Sequence, residues 1–148
     1  MIISLSNSLK TIDWSHCDAE RRNILSKDER TTYKLQNMIQ AQDGPAITGE
    51  YYHMVINSKL LVGTLDHLSL IATIEQSGKR YGVPFKKNLC SLFTCPVKEG
   101  EEREFSIDYP IPRAPARFLN DPFFVTVEIK NGFTLVDCIK FNVKVEVE

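Results

Sequence analysis

The chain has 148 residues, 43% of them hydrophobic and 25% charged, and a formal net charge of -1. That length suits one domain around a single core, and the composition excludes disordered and fibrous sequence. Lys and Arg are scattered, without the basic field that neutralises phosphates, so nucleic acid is set aside as a partner.

No apolar run nears the roughly 20 residues that span a bilayer. The start, Met1-Ile2-Ile3-Ser4-Leu5, lacks the basic flank and long apolar stretch of an intact signal peptide. The charged stretch Asp18 to Arg30 reads as a short helix or loop with a solvated face, and no chemistry is assigned to it.

From about residue 30 onward apolar residues recur with period two between turn residues, which predicts successive strands. Thr31 to Ile39 is a candidate strand. Tyr51 to Val62 is a less regular one, because Leu60, Leu61 and Val62 are consecutive. Leu68, Leu70, Ala72 and Ile74 alternate up to the turn-like Ser77-Gly78-Lys79-Arg80, and the pattern resumes at Tyr81 and Val83, giving a hairpin in the middle of the chain. Phe105, Ile107, Tyr109 and Ile111 alternate with Ser106, Asp108, Pro110 and Pro112. The prolines cannot donate to a ladder, so this segment is an edge strand or leaves the sheet. Arg113 to Phe123, with two prolines and two arginines, reads as a loop.

The last two strands give the clearest pattern. Phe124 to Lys130 and Phe133 to Val147 flank Asn131-Gly132, a pair suited to a two-residue hairpin turn. Val125, Val127 and Ile129 share one face of the first strand. In the second, Ile139, Phe141, Val143, Val145 and Val147 alternate with polar residues. Cys138 falls by parity on the wet face, so a bulge or strand end is expected near it. Some seven strands without internal helices predict an all-β sandwich of two antiparallel sheets.

The four cysteines are Cys17, Cys90, Cys95 and Cys138. The short loop between Cys90 and Cys95 favours their pairing, which leaves Cys17 for Cys138 across nearly the whole chain. Such a bridge belongs in an oxidising compartment, with four buried thiols as the alternative. A zinc site is disfavoured because no second closely spaced ligand pair completes a tetrahedron. The histidines His16, His53 and His67 accompany no nucleophile-elbow, metal-spacing or phosphate-loop motif, so an enzyme is not expected. No cofactor is expected either.

Three segments together resemble the ML lipid-recognition domain: Asp13-Trp14-Ser15-His16-Cys17-Asp18, Asn88-Leu89-Cys90 with Cys95-Pro96-Val97-Lys98-Glu99-Gly100-Glu101, and Asp137-Cys138-Ile139. That family includes the Niemann-Pick type C sterol carrier and the ganglioside activator protein, and the resemblance covers nearly the entire chain. It implies an immunoglobulin-like sandwich with an inter-sheet lipid cavity, and the disulfides Cys17–Cys138 and Cys90–Cys95. It also implies a secreted, lysosomal or endosomal carrier of a sterol, fatty acid, phospholipid or glycolipid. The lipid would be the partner, with a transient membrane surface or a protein receptor beside it. A lipid-modulated co-receptor of the same fold is the alternative.

Strand parity then assigns the pocket wall to Leu68, Leu70, Ile74, Ile107 and Tyr109, continued by Phe118, Phe124, Val127, Phe141 and Val143. Arg113, Arg117 and Phe123 are assigned to the cavity mouth, where an arginine would hold an anionic head group. Lys79-Arg80 and Lys86-Lys87 are secondary candidates for contact with an anionic membrane.

Overall fold

The computed structural model describes residues 9–17, 33–113 and 122–147. The charged stretch 18–30, Arg117 and Phe118 therefore lie outside the described residues.

The elements in chain order are β1 (Leu9–Thr11), β2 (Ser15–His16), β3 (Lys34–Gln42), β4 (Ala46–Ile47), β5 (Tyr51–Val62), β6 (Leu68–Gln76) and β7 (Lys79–Asn88). A 3-10 turn (Leu89–Ser91) follows, then β8 (Glu102–Pro110), β9 (Phe123–Asn131), β10 (Thr134–Val143) and β11 (Val145–Glu146). One sheet has the order β1-β3-β5-β8 and the other β2-β10-β9-β6-β7, while β4 and β11 form a small parallel pair. Within the two large sheets every neighbouring pair is antiparallel. The all-β sandwich expected from the periodicity is the observed fold.

Alternation positions the core. Ile39 and Ala41 of β3, Met54, Ile56 and Leu60 of β5, and Phe105, Ile107 and Tyr109 of β8 are buried against Leu70, Ala72, Ile74, Val125, Val127, Ile129, Ile139 and Phe141 of the facing sheet. The irregularity read into Tyr51–Val62 is confined to its end, where Leu60 is buried and Leu61 and Val62 are exposed. Strand β8 lies at a sheet edge, as its prolines require.

Both hairpins form, with one correction. Ser77 (φ 53°) and Gly78 (φ 79°) make the β6–β7 turn, and positive φ at both central positions matches the twist of the flanking strands. At the β9–β10 turn Asn131 pairs with Thr134, so the central residues are Gly132 and Phe133 rather than Asn131 and Gly132. Positive φ falls on Gly132 alone (63°), the form with glycine first. The Asn131 side chain is used elsewhere: its Oδ1 accepts from the N–H groups of Asp66 (3.2 Å) and His67 (2.9 Å). Its Nδ2 donates to Tyr33 Oη (3.0 Å).

Two bulges re-aim side chains. The β10 register shifts between Leu135 and Asp137, next to Cys138 as parity required. In β7, Gly82-Val83-Pro84 stand opposite Thr73 alone, since Ala72 pairs with Phe85 and Ile74 with Tyr81. Val83, expected to continue the inward set, instead projects into solvent. Gly82 has φ 76°, and a Cβ there would lie 3.1 Å from Pro112, so a side chain would be both strained and crowded.

Both predicted disulfides are present, Cys17–Cys138 and Cys90–Cys95, and no cysteine is free. The thiol and zinc alternatives fall away. Two disulfides are the mark of an oxidising, extracellular or lumenal environment.

Candidate lipid-binding interior and its two unlike sides

The two long sides of the sandwich are joined differently. On one side the chain itself crosses between sheets, from β1 through Ile12 and Trp14 to β2, and both these side chains pack on the core. Beside the crossing, three polar residues occupy inward slots that parity would give to apolar ones. Asp137 of β10 accepts from Asn37 Nδ2 of β3 at 2.7 Å, which bonds one sheet to the other. Asn37 Oδ1 in turn accepts from Ser58 Oγ of β5.

Asp137 is buried, and its other contacts are His16 Nδ1 (3.2 Å) and the N–H of Cys138 (2.8 Å). Burial pushes its carboxyl above the usual aspartate range, against the opposing pull of His16, Cys138 and Asn37. This network was not anticipated. Its signal was legible as Asn37 between Leu35 and Ile39 and Ser58 between Ile56 and Leu60, but not for Asp137, which the bulge after Leu135 turns inward while Leu135 itself packs with Cys17 and Cys138.

The opposite side is a seam between two edge strands, β7 and β8, which share no ladder. They are connected at one end, through residues 89–101, where Leu65 and Val97 exchange backbone hydrogen bonds (2.9 and 2.8 Å) and Gly100 donates to Leu60 (2.7 Å). Aromatic rings of both edge strands line the seam: Phe85 of β7 lies 6.4 Å from Tyr109 of β8, and Tyr81 of β7 reaches inward to stand edge-on to Phe123 of β9 at 5.6 Å. A hydrogen bond crosses from sheet to sheet here, from the Ile74 N–H to Tyr109 Oη at 3.0 Å. The β7 bulge withdraws the neighbouring strand from this position. Burial raises the Tyr109 pKa, so the phenol stays protonated.

Between the sheets, at the Cys90–Cys95 end, lies an apolar cavity of about 20 Å³ bordered by Leu60, Leu65, Leu68, Leu89, Phe105 and Ile129 among others. It has room for about one water molecule. A bound lipid needs several hundred Å³, so at this end the side chains fill the space.

Of the residues assigned to a pocket wall, Leu68, Leu70, Ile74, Ile107, Tyr109, Val127, Phe141 and Val143 are all buried between the sheets. Leu68 alone of them borders the small cavity. Phe124 is a correction. It lies on the outer face of β9, half-buried, with Lys140 Nζ 4.6 Å above its ring, because it shares parity with Thr126 and Glu128. Phe123 is also corrected, from mouth loop to first residue of β9, buried against Tyr81. Arg113 is exposed, and its guanidinium lies against Gly49, 3.0 Å from where a Cβ would stand.

The histidines all adjoin carboxylates: His16 by Asp137, His53 by Asp108 (2.6 Å) and His67 by Asp66 (3.0 Å). Of these only Asp137 is buried.

No family model and no curated protein matches the chain. Among solved structures, the C-terminal domain of Wzt is similar at 12% identity and TM-score 0.50, over 78% of this chain and 73% of that one. A CARDB domain from Pyrococcus furiosus, in complex with di-metal ions, is similar at 13% identity and TM-score 0.48, over 78% and 90%. A β-glucuronidase of glycoside hydrolase family 2 is similar at 10% identity and TM-score 0.44, over 80% of this chain and 12% of that one. None of the three is described as an ML domain. The likeness to the Wzt domain bears on the fold alone, a β-sandwich.

Proposed function

We propose that the chain binds and carries a lipid between its two sheets and does no covalent chemistry. The observation that carries this reading is the unsealed seam between β7 and β8, two edge strands without a shared ladder, with aromatic rings along it and an apolar interior behind it. The other long side is fastened by the β1–β2 crossing and by the Asp137–Asn37 bond. A sandwich fastened along one side parts along the other.

With the sheets packed as they are, an acyl chain or sterol enters as β7 moves away from β8. Contacts between the sheets are replaced by contacts to the ligand, and each methylene removed from water contributes about 0.8 kcal/mol. The cross-seam bond of Tyr109 opposes this by about 1 kcal/mol, less than two buried methylenes return. The resemblance to ML domains supports the same reading, with an extracellular, endosomal or lysosomal lumen as the place of action and a membrane or protein as acceptor.

The experiment is extraction of the purified protein with organic solvent, mass spectrometry of the extract, and titration of the stripped protein with fluorescent sterol, phospholipid and fatty acid. Stoichiometric recovery or saturable uptake is expected. Neither, across all three classes, would discard the carrier reading.

A further inference from the structure

Trp14, the sole tryptophan of the chain, is half-buried. It packs on the core and also borders a groove of about 460 Å³, open to solvent, where β2 lies on β10 beside the start of β9. Asp13, Ser15 and His16 border the same groove from that segment, and Phe124, Lys140 and Asn142 from β9 and β10. The volume is in the range of small-molecule sites. Because β2 and β7 are the two edges of their sheet, the groove lies away from the β7–β8 seam.

Most of the polar groups around it are uncommitted. The Asp13 carboxylate, the Ser15 hydroxyl, the Asn142 amide and the Trp14 indole N–H have no hydrogen-bond or ion-pair partner among the described residues. Among those residues no side-chain N or O is buried without a partner, so the Trp14 N–H reaches solvent. His16 turns Nδ1 to Asp137 (3.2 Å), which leaves Nε2 for another partner. The Lys140 ammonium lies 4.6 Å above the Phe124 ring.

The groove is nevertheless firmly built. Ser15 and His16 pair in register with Lys140 and Ile139, the Cys17 N–H donates to Cys138 O (3.0 Å), and the Cys17–Cys138 disulfide locks the two strands together. Asp137, itself bonded to Asn37 of the other sheet, fixes the His16 ring, and Trp14 stands edge-on to that ring at 5.2 Å. Donors and acceptors set in place before a ligand arrives lose little freedom on binding it.

We propose that this groove binds a neutral pyranose sugar. Such a ring has an apolar C–H face, which suits an aromatic wall, and a rim of hydroxyls that each donate and accept. Trp14 supplies the wall and one donor, and Asp13, Ser15, His16 and Asn142 supply the mixed partners for the rim. The Asp13 carboxylate disfavours an anionic ligand and the Lys140 ammonium a cationic one. An acyl chain would take water from these polar groups without replacing their hydrogen bonds. The proposal does not depend on a lipid between the sheets.

The test is a titration of the oxidised, full-length chain with glucose, galactose, mannose, N-acetylglucosamine and their neutral disaccharides, read by NMR. A single tryptophan gives a single indole N–H peak, so the groove reports on itself. A saturable shift of that peak by at least one sugar, with a millimolar dissociation constant, is expected, while glucuronate should bind more weakly than glucose. Asp13→Ala and Asn142→Ala should each lower the affinity roughly tenfold, the scale of one or two lost hydrogen bonds. Both residues are exposed, so folding is expected to survive and is checked by thermal melting. Tyr51→Ser, at an exposed position on the other sheet, is the control and should bind as the parent does.

Lactose and lactose joined to a short acyl chain distinguish the sources of the sugar. Equal affinities point to a soluble or protein-borne glycan, and tighter binding of the acylated form, with the same losses in the two variants, points to a glycolipid head group. Repeating the titration with a fatty acid present should give the same shifts, which separates failure of the groove from failure of the carrier reading. Three outcomes would overturn the proposal: an indole peak unmoved by every sugar at roughly 50 mM, where a millimolar site is nearly filled, affinities unchanged in both Asp13→Ala and Asn142→Ala, or an equal loss in Tyr51→Ser.

Discussion

Tyr109 Oη of β8 accepts the backbone N–H of Ile74 in β6 at 3.0 Å, so a side chain of one sheet completes the hydrogen bonding of the other across the β7–β8 seam, where no ladder runs. Tyr109→Phe leaves that buried N–H without its partner. Stability is expected to fall by about 1–3 kcal/mol, read as a lower urea midpoint. Because the same bond opposes parting of β7 from β8, fluorescent lipid uptake should quicken. Slower uptake at reduced stability would show that the seam is not the route.

Asp137 gives a pH signature. Burial raises its folded pKa above the ordinary value of about 3.9. Between those two values the folded state holds a proton that the unfolded chain has released, so this group makes stability fall as pH rises through the interval. Asp137→Asn does not titrate there. Denaturation midpoints measured from acid to neutral pH should show the variant gaining on the parent as pH rises, and the difference levelling above the raised pKa. A difference that is flat with pH would place Asp137 in water rather than between the sheets.

The two disulfides close loops of very different length, with sequence separations of 121 and 5 residues. In the chain-entropy account the longer bridge constrains the unfolded state by about 5 kcal/mol and the shorter by about 2 kcal/mol. Replacing Cys17 and Cys138 by Ser should therefore lower the denaturation midpoint well below that of the Cys90/Cys95 double serine variant. The reverse order would show that native-state packing around the 89–101 segment outweighs loop entropy.

Asn131→Ala removes one amide that serves three groups, the N–H of Asp66, the N–H of His67 and the phenol of Tyr33. A loss of about 2–3 kcal/mol is expected, since several polar groups lose their partner at once. Hydrogen exchange at Asp66 and His67 should rise more than at the core strand β9. Uniform exchange across both would mean that the loop is not held by Asn131.

Much of the fold was legible because alternation with period two is written locally. Val125, Val127 and Ile129 face inward, as do Ile139, Phe141 and Val143, and the Ser77-Gly78 turn lies where turn chemistry placed it. The short strands β1, β2 and β4 were not legible, since each is two or three residues held by a distant partner, and the strand read as Phe133 to Val147 in fact ends at Val143, after which Val145–Glu146 pairs in parallel with β4 and Val147 is exposed.

The sequence by itself determined a β-sandwich with one apolar face per strand and, through cysteine spacing, its two covalent ties. Periodicity and loop closure depend only on neighbours along the chain. Only the tertiary structure decided that Asn131 leaves the turn and Phe133 becomes its tip, that the β7 bulge frees Ile74 for Tyr109, and that Asn37, Ser58 and Asp137 meet between the sheets. Each of these joins residues more than twenty apart in sequence, and each depends on space and hydrogen-bond supply that exist only once both sheets are in place.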